Sequence, residues 1–244
     1  REAMIKYGSD KPDLRNPLVL TDVTDCFAAS GFNAFKNKTV KAIAVDSSSV
    51  TRRFFDEMTE FAKTDLGMAG LAWIKINEDG TVVGPIAKYL TEEVLKDMFE
   101  KTGAKENYGI FFIADQYNKA CKDAGNVRNE LGRRLGLIDN DVYKFCFIVD
   151  FPFYEETDDG KIDFGHNPFS MPQGGLEALE NQNPLDILAY QYDMVCNGYE
   201  IVSGAVRNHD TQVMTKAFEI AGYSEETVKN KFGALYNAFK FGAP

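Results

Sequence analysis

The stretch AYQYDMVCNGYEIVSGAVRNH, from Ala189 to His209, reads as two strands joined at Asn197-Gly198. Asn-Gly between apolar, strand-forming residues is a strong short-range signal for a tight hairpin, because both turn positions need positive φ. The pair brings acidic groups close together, since Asp193 and Glu200 flank the turn. Arg207 stands seven positions after Glu200. Side chains on an unbroken strand alternate, so an odd spacing puts the two on opposite faces unless a bulge intervenes. The small residues Ser203-Gly204-Ala205 between them leave room for such a bulge and for a close-approaching ligand.

Outward from this hairpin, two helices follow. The first spans Asp210 to Ala221 with Val213, Ala217 and Ile220 on one face; the second starts at Ser224, has Glu225 and Glu226 behind it, and carries Val228, Phe232, Leu235 and Phe239. His209 only leads into the first helix, which Asp210 caps. Before the hairpin, FCFIVDFPFYE from Phe145 reads as a buried strand, the acidic run Glu156 to Gly160 as a hairpin tip, and Pro168 to Gly175 as a Pro- and Gly-rich connection. A domain boundary is placed near Val142. Upstream, Val40–Val45, Leu71–Ile76 and Tyr108–Ala114 read as strands. Helical spacing of Val50, Phe54, Met58 and Phe61, a Thr91 cap before Val94, Leu95, Met98 and Phe99, and a long polar helix from Gln116 to Leu137 complete an α+β layer structure over residues 22–143. The opening, REAMIKYGSDKPDLRNP, reads as a helix end followed by an irregular crossing segment.

The 244 residues are 44% hydrophobic and 26% charged, which excludes disorder and collagen-like architecture. No apolar run approaches the roughly 20 residues of a membrane span, and no signal segment opens the chain. Net charge is −10, and residues 151–200 hold ten acidic residues against one basic, Lys161. Such a chain is a poor nonspecific nucleic-acid binder, because phosphate affinity comes from Lys and Arg. Cys26, Cys121, Cys146 and Cys196 show no zinc-ligand spacing and read as free thiols in a reducing compartment. Walker-type loops, dinucleotide fingerprints and G-x-S-x-G elbows are absent.

Polar residues near strand ends are what remain to carry chemistry: His166-Asn167, Asp193, Glu200 and Arg207. His166 is one of only two histidines and lies in a loop at a strand end, where scaffolds place binding groups. Asp193 and Glu200 can share a hard cation such as magnesium, which takes one or two carboxylates plus substrate phosphates. Each residue, judged singly, also fits an ordinary structural role. Trp73 and the Phe-rich faces read as core, and Arg128, Arg133 and Arg134 as a salt-bridged helix face.

Five segments in order, YGSDKPDLRNP (Tyr7 to Pro17), VDFPFYE (Val149 to Glu155), HNPFSMP (His166 to Pro172), YDMVCNGYEIVSGAVR (Tyr192 to Arg207) and KFGALYNAFKFGAP (Lys231 to Pro244), closely resemble bacterial-type aspartyl-tRNA synthetase. The likeness covers essentially the whole chain. It implies an α+β fold in which part of a class II antiparallel-sheet catalytic domain is interrupted by an α+β GAD insertion domain. Residues 1–21 would be catalytic-domain chain leading into the insertion, 22–143 the GAD domain, and 144–244 catalytic domain ending before the third class II motif. An anticodon-binding OB domain and the first two motifs would precede the Tyr7 segment.

The resemblance further implies an ATP-dependent aspartate-tRNA ligase acting in the cytoplasm, a homodimer in its full-length form, with no membrane attachment. L-aspartate, ATP, magnesium and tRNA would be its ligands. By position, His166 and Arg207 would contact L-aspartate, Glu200 would lie beside ATP, and Asp193 and Glu200 would hold Mg2+; no residue here is assigned as catalytic. On its own the chain would be inactive. Asn167 stands where many members have a second histidine, and Val202-Ser203-Gly204 where many have glycines. The rival expectation is a GAD-type module that binds RNA or protein without ligase activity.

Overall fold

A computed structural model describes residues 1–28, 32–157 and 159–243. Asp158 in the acidic turn and Pro244 at the end of the fifth family-like segment lie outside the described residues. The chain divides into two compact units, Glu2–Lys144 and Phe145–Pro244, the latter with Arg1.

In the first unit a short helix, α1 (Glu2–Tyr7), is followed by strands β1 (Thr21–Asp22) and β2 (Thr39–Asp46), helix α2 (Arg52–Thr64), strands β3 (Ala72–Ile76) and β4 (Val82–Val83), helix α3 (Glu92–Thr102), strand β5 (Tyr108–Asp115) and helix α4 (Tyr117–Arg134). The strands form one antiparallel sheet in the order β1-β2-β5-β3-β4. Its central strand is apolar on both sides, and the alternation divides it between two cores. Phe111 and Ile113 join Phe55, Met58, Trp73, Val127 and Leu131, whereas Ile110 and Phe112 join Ile74, Ile86 and Met98. Phe55 stacks on Phe111 with centroids 5.2 Å apart. Gly109 is what admits it, since a Cβ there would lie 2.7 Å from the Phe55 ring. Thr91 caps α3 by accepting from the Val94 amide, and Gly103 ends it at φ 68°.

The opening segment, expected as catalytic-domain chain, is packed in this first unit. Arg128 is the cause: only 1% exposed, it donates to the carbonyl oxygens of Leu18 (2.6 Å), Asp13 (3.0 Å) and Asn16 (2.7 Å), with its guanidinium 5.0 Å over the Tyr7 ring. Asn16 returns a hydrogen bond to the Arg128 carbonyl at 2.9 Å. Backbones meet where Gly8 (φ 67°) faces α4, for a Cβ on Gly8 would sit 2.2 Å from the Cys121 oxygen. Arg128 therefore departs from the salt-bridged face expected of it. Arg133 and Arg134 keep to that expectation, both pairing with Glu130 at 2.6 Å. Together they hold the Glu130 carboxyl down at about 2.

The second unit has strands β6 (Phe145–Pro152), β7 (Tyr154–Glu156) and β8 (Ile162–Phe164), helix α5 (Gly175–Asn181), strands β9 (Leu188–Cys196) and β10 (Tyr199–Ala205), and helices α6 (Thr211–Ile220) and α7 (Glu225–Phe239). An antiparallel sheet, β10-β9-β6, stands beside the β7-β8 hairpin. Two clusters form its core, one around Phe153, Tyr154, Ala189, Val213 and Ala217, the other around Met214, Phe218, Val228 and Tyr236. Burial pushes the Tyr154 hydroxyl's pKa up, and that hydroxyl donates to the Ala217 carbonyl at 2.8 Å.

The expectation that Phe145 begins a buried strand is corrected. Phe145, Phe147 and Val149 are 57%, 62% and 51% exposed. An unbroken apolar run suits a strand covered on both sides, but here one face of β6 stands open, and Tyr190, Tyr192 and Val202 continue it across β9 and β10. Among the described residues no helix is long and apolar enough to cross a membrane.

Two consequences are measurable by urea denaturation. Arg128→Met strands three carbonyl oxygens and should cost about 2–4 kcal/mol. Glu130 is ionised more readily folded than unfolded, so its contribution is full above its unfolded pKa near 4.5 and is lost as pH falls toward about 2. Glu130→Gln should therefore cost on the order of 1–2 kcal/mol at pH 7, with the gap to wild type closing in acid.

Candidate functional site

The β9-β10 turn is tight, with Asn197 at φ 52° and Gly198 at φ 87°, as a type I′ turn requires. From there Tyr199 pairs with Cys196 and Glu200 with Val195; the next pair is Val202 with Met194. Ile201 is thus the extra residue of a bulge, and the parity of β10 changes across it. Ser203 then lies opposite Asp193 and Ala205 opposite Gln191. Cross-strand partners share a face, so Glu200, Ser203 and Ala205 stand on the side of Val195, Asp193 and Gln191. Continuing the alternation puts Arg207 there too.

Beyond Ala205 and Gln191 the two strands part, and residues 169–173 fill the fork. The Met171 amide donates to the Val206 carbonyl (2.8 Å), the Val206 amide to Tyr190 (2.9 Å), and the Tyr190 amide back to Met171 (2.9 Å). Ser170 bridges to Arg207 on one side, while Pro172 bridges to Ala189 on the other. Arg207 is therefore placed by this wedge. Its carbonyl accepts from the His209 amide at 2.9 Å, ending the strand. The Asp210 carboxylate then caps α6 at the Gln212 amide, 2.8 Å away, as the sequence suggested.

A second bulge, where β6 pairs with β9, serves His166. Between the pairs Val149 with Tyr192 and Phe151 with Ala189, β6 has one residue, Asp150 at φ 57°, against two on β9, Tyr190 and Gln191. Phe151 is thereby turned onto the face of Ala189 and Asp193, and the exposed His166 ring meets it edge-on, centroids 4.8 Å apart. Gln173 steadies the bulge by donating to the Asp150 carboxylate at 2.7 Å.

Asp193, Glu200 and Arg207 thus share one sheet face, with His166 against a residue of that face. Asp193 is 5% exposed, whereas Glu200 and Arg207 are exposed. Diagonal neighbours such as Asp193 and Glu200 have Cα atoms roughly 7–8 Å apart, within converging reach of an aspartate and a glutamate side chain. Among the described residues the Arg207 guanidinium has no hydrogen-bond or ion-pair partner. An acidic pair and an open guanidinium on one surface suit a ligand carrying both a cation and a carboxylate. Two hard oxygen donors fit magnesium as a partial ligand set.

Sequence reasoning missed Ser203 opposite Asp193, and Ser170 and Gln191 beside Arg207. Only the prolines bounding Ser170 hinted that an extended segment lies there. One other cluster among the described residues, Asp25, Cys26 and Asp97, brings three possible ligand atoms together. Lys101 already fills it, with Nζ 2.5 Å from Asp25 and 3.2 Å from Asp97. Burial, followed by the Asp97 hydrogen bond, pushes the Cys26 thiol up to about 12, so it is no nucleophile.

The model of the class II tRNA synthetases (D, K and N) matches residues 1–244. The chain belongs to that family. Aspartate–tRNA ligase of Streptomyces avermitilis is 54% identical over 246 residues, which is 100% of this chain and 42% of that protein. Aspartate–tRNA(Asp/Asn) ligase of Anaplasma marginale is 54% identical over 250 residues, again 100% and 42%, and that of a Wolbachia from Brugia malayi 53% over 251. The chain spans about two fifths of the length of these relatives.

Gly198→Ala forces a side chain into the left-handed region and should cost about 1–2 kcal/mol in denaturant unfolding. The same change at Gly233, inside α7 and with open space for a Cβ, should stabilise or leave stability unchanged.

Proposed function

We propose that the chain forms part of the active-site wall of an aspartate-tRNA ligase, residues 1–21 and 144–244 belonging to the catalytic domain and residues 22–143 to a GAD insertion. The observation that carries this reading is the Ile201 bulge, without which Glu200 and Arg207 would face apart. Family membership and the names of its relatives support the choice of aspartate.

In this reading the Arg207 guanidinium grips the side-chain carboxylate of L-aspartate with two parallel hydrogen bonds. His166, pivoted on Phe151, contacts the same amino acid. Glu200 lies beside ATP, and Asp193 and Glu200 are the residues that would hold magnesium. That ion, when bound, would spread the charge of the phosphates. With the side-chain carboxylate so held, the aspartate α-carboxylate attacks the α-phosphorus of ATP in line, with pyrophosphate leaving and aspartyl-adenylate formed. The 3′-terminal ribose hydroxyl of tRNA then takes the aspartyl group and AMP leaves. A homodimer working in the cytoplasm is the setting proposed, and four free cysteines suit a reducing compartment.

The test is aspartate-dependent exchange of pyrophosphate into ATP by the full-length protein. Wild type should exchange, and Arg207→Ala should lower kcat/KM for aspartate by at least 100-fold. Deleting Ile201, which removes the bulge, should abolish exchange although the hairpin keeps its turn. Absent exchange in a folded, ATP-binding wild type would overturn the ligase reading and leave the rival, an RNA- or protein-binding module.

A further inference from the structure

Gln191 is the residue of this face that neither motif nor charge singles out. It sits opposite Ala205, whose single methyl leaves space above β10, and two positions from Asp193 along β9. The fork sets its neighbours. Pro172 bridges to Ala189 antiparallel, so the same register brings Ser170 beside Gln191, and Ser170 also bridges to Arg207. Gln191, Ser170 and Arg207 thus form a row across one face, with Ser170 in the middle.

Ser170 is completely buried, and a buried hydroxyl needs a partner. Its oxygen lies 3.5 Å from Gln191 Oε1, to which it donates. In this structure Oε1 is turned to Ser170, and Nε2 with its two hydrogens is turned away from it. Gln191 is half-buried, which keeps the amide on the face and not in bulk water.

We propose that Gln191 Nε2 is a second donor to the side-chain carboxylate held by Arg207, and so a determinant of aspartate over asparagine. The inference rests on the ligase reading. A carboxylate is acceptor-only at both oxygens, whereas the asparagine amide carries two donor hydrogens. An arginine fork alone can accommodate the carbonyl end of asparagine. With donors on two sides, one of them must oppose the asparagine NH2, and an unpaired buried donor discriminates strongly. Ser170 is a positioning residue here, its buried hydroxyl holding the Gln191 side chain beside Arg207.

The experiment is pyrophosphate exchange by the full-length protein, with aspartate varied and asparagine added as competitor, for wild type and the Gln191→Ala, Gln191→Glu, Ser170→Ala, Ser170→Thr and Arg207→Ala variants, each checked for folding by its melting temperature. Gln191→Ala should raise KM for aspartate about five- to twentyfold while kcat stays within threefold, and asparagine should compete measurably better than against wild type. Gln191→Glu, which offers oxygens in place of hydrogens, should be worse than Gln191→Ala. Ser170→Ala should raise KM in the same direction, and Ser170→Thr, which keeps the hydroxyl, should restore it. KM for aspartate and asparagine competition within twofold of wild type in Gln191→Ala, or a fall in kcat at constant KM, would overturn the assignment while an inactive Arg207→Ala left the ligase reading standing. Undiminished exchange in Arg207→Ala would instead overturn the reading on which it rests.

Discussion

Side chains on a strand alternate, and every functional placement in the second unit is governed by that period of two. Glu200 and Arg207 are an odd number of residues apart, as are Ile148 and Phe151, which stand opposite Asp193 and Ala189. A regular sheet would scatter these groups. Two bulges, one at Ile201 of β10 and one where β9 sets two residues against Asp150 of β6, restore a common face. Local twist and a left-handed Asp150 are the energetic cost, offset by pairing on both sides of each bulge and by the Gln173 hydrogen bond. The site therefore depends on backbone irregularity at two points more than on any one side chain.

Much of the fold was legible because its signals are local. Asn197-Gly198 marked the hairpin, Thr91, Asp210 and Ser224 marked helix starts that the structure caps as expected, and the periodicity of α3 matched its packed face, while that of α2 found Met58 but not the buried Phe55 and Ala62. Phe145 to Val149 misled for a physical reason. A strand apolar on both faces is ordinarily covered on both, and composition alone cannot register that a covering layer is missing. Arg128 misled in the opposite sense, because charge suggests a solvated face until its neighbours are known.

Of the candidate site, residue types and the need for a bulge were legible; the bulge's position was not. Any of several residues between Glu200 and Arg207 could have been the extra one, and only pairing with β9 selects Ile201. The wedge of residues 169–173 was invisible for a related reason. It meets β9 and β10 across some twenty to forty positions of sequence, and nothing in the pattern of HNPFSMP says which edges it will find. Ser170 and Gln191 went unnoticed with it.

The anchoring of the opening segment has a bearing on how this part of the chain can drift in sequence. Arg128 reads three carbonyl oxygens, groups that every amino acid supplies. The side chains of Asp13 and Leu18 are therefore free of that duty, and substitutions there leave the anchor intact so long as the path of the chain is kept. Pressure falls instead on Arg128 itself, on Gly8 and Gly125 where backbones touch, and on Asn16, whose amide completes the exchange with α4. A few fixed points thus hold a segment whose other residues can be spent on different work.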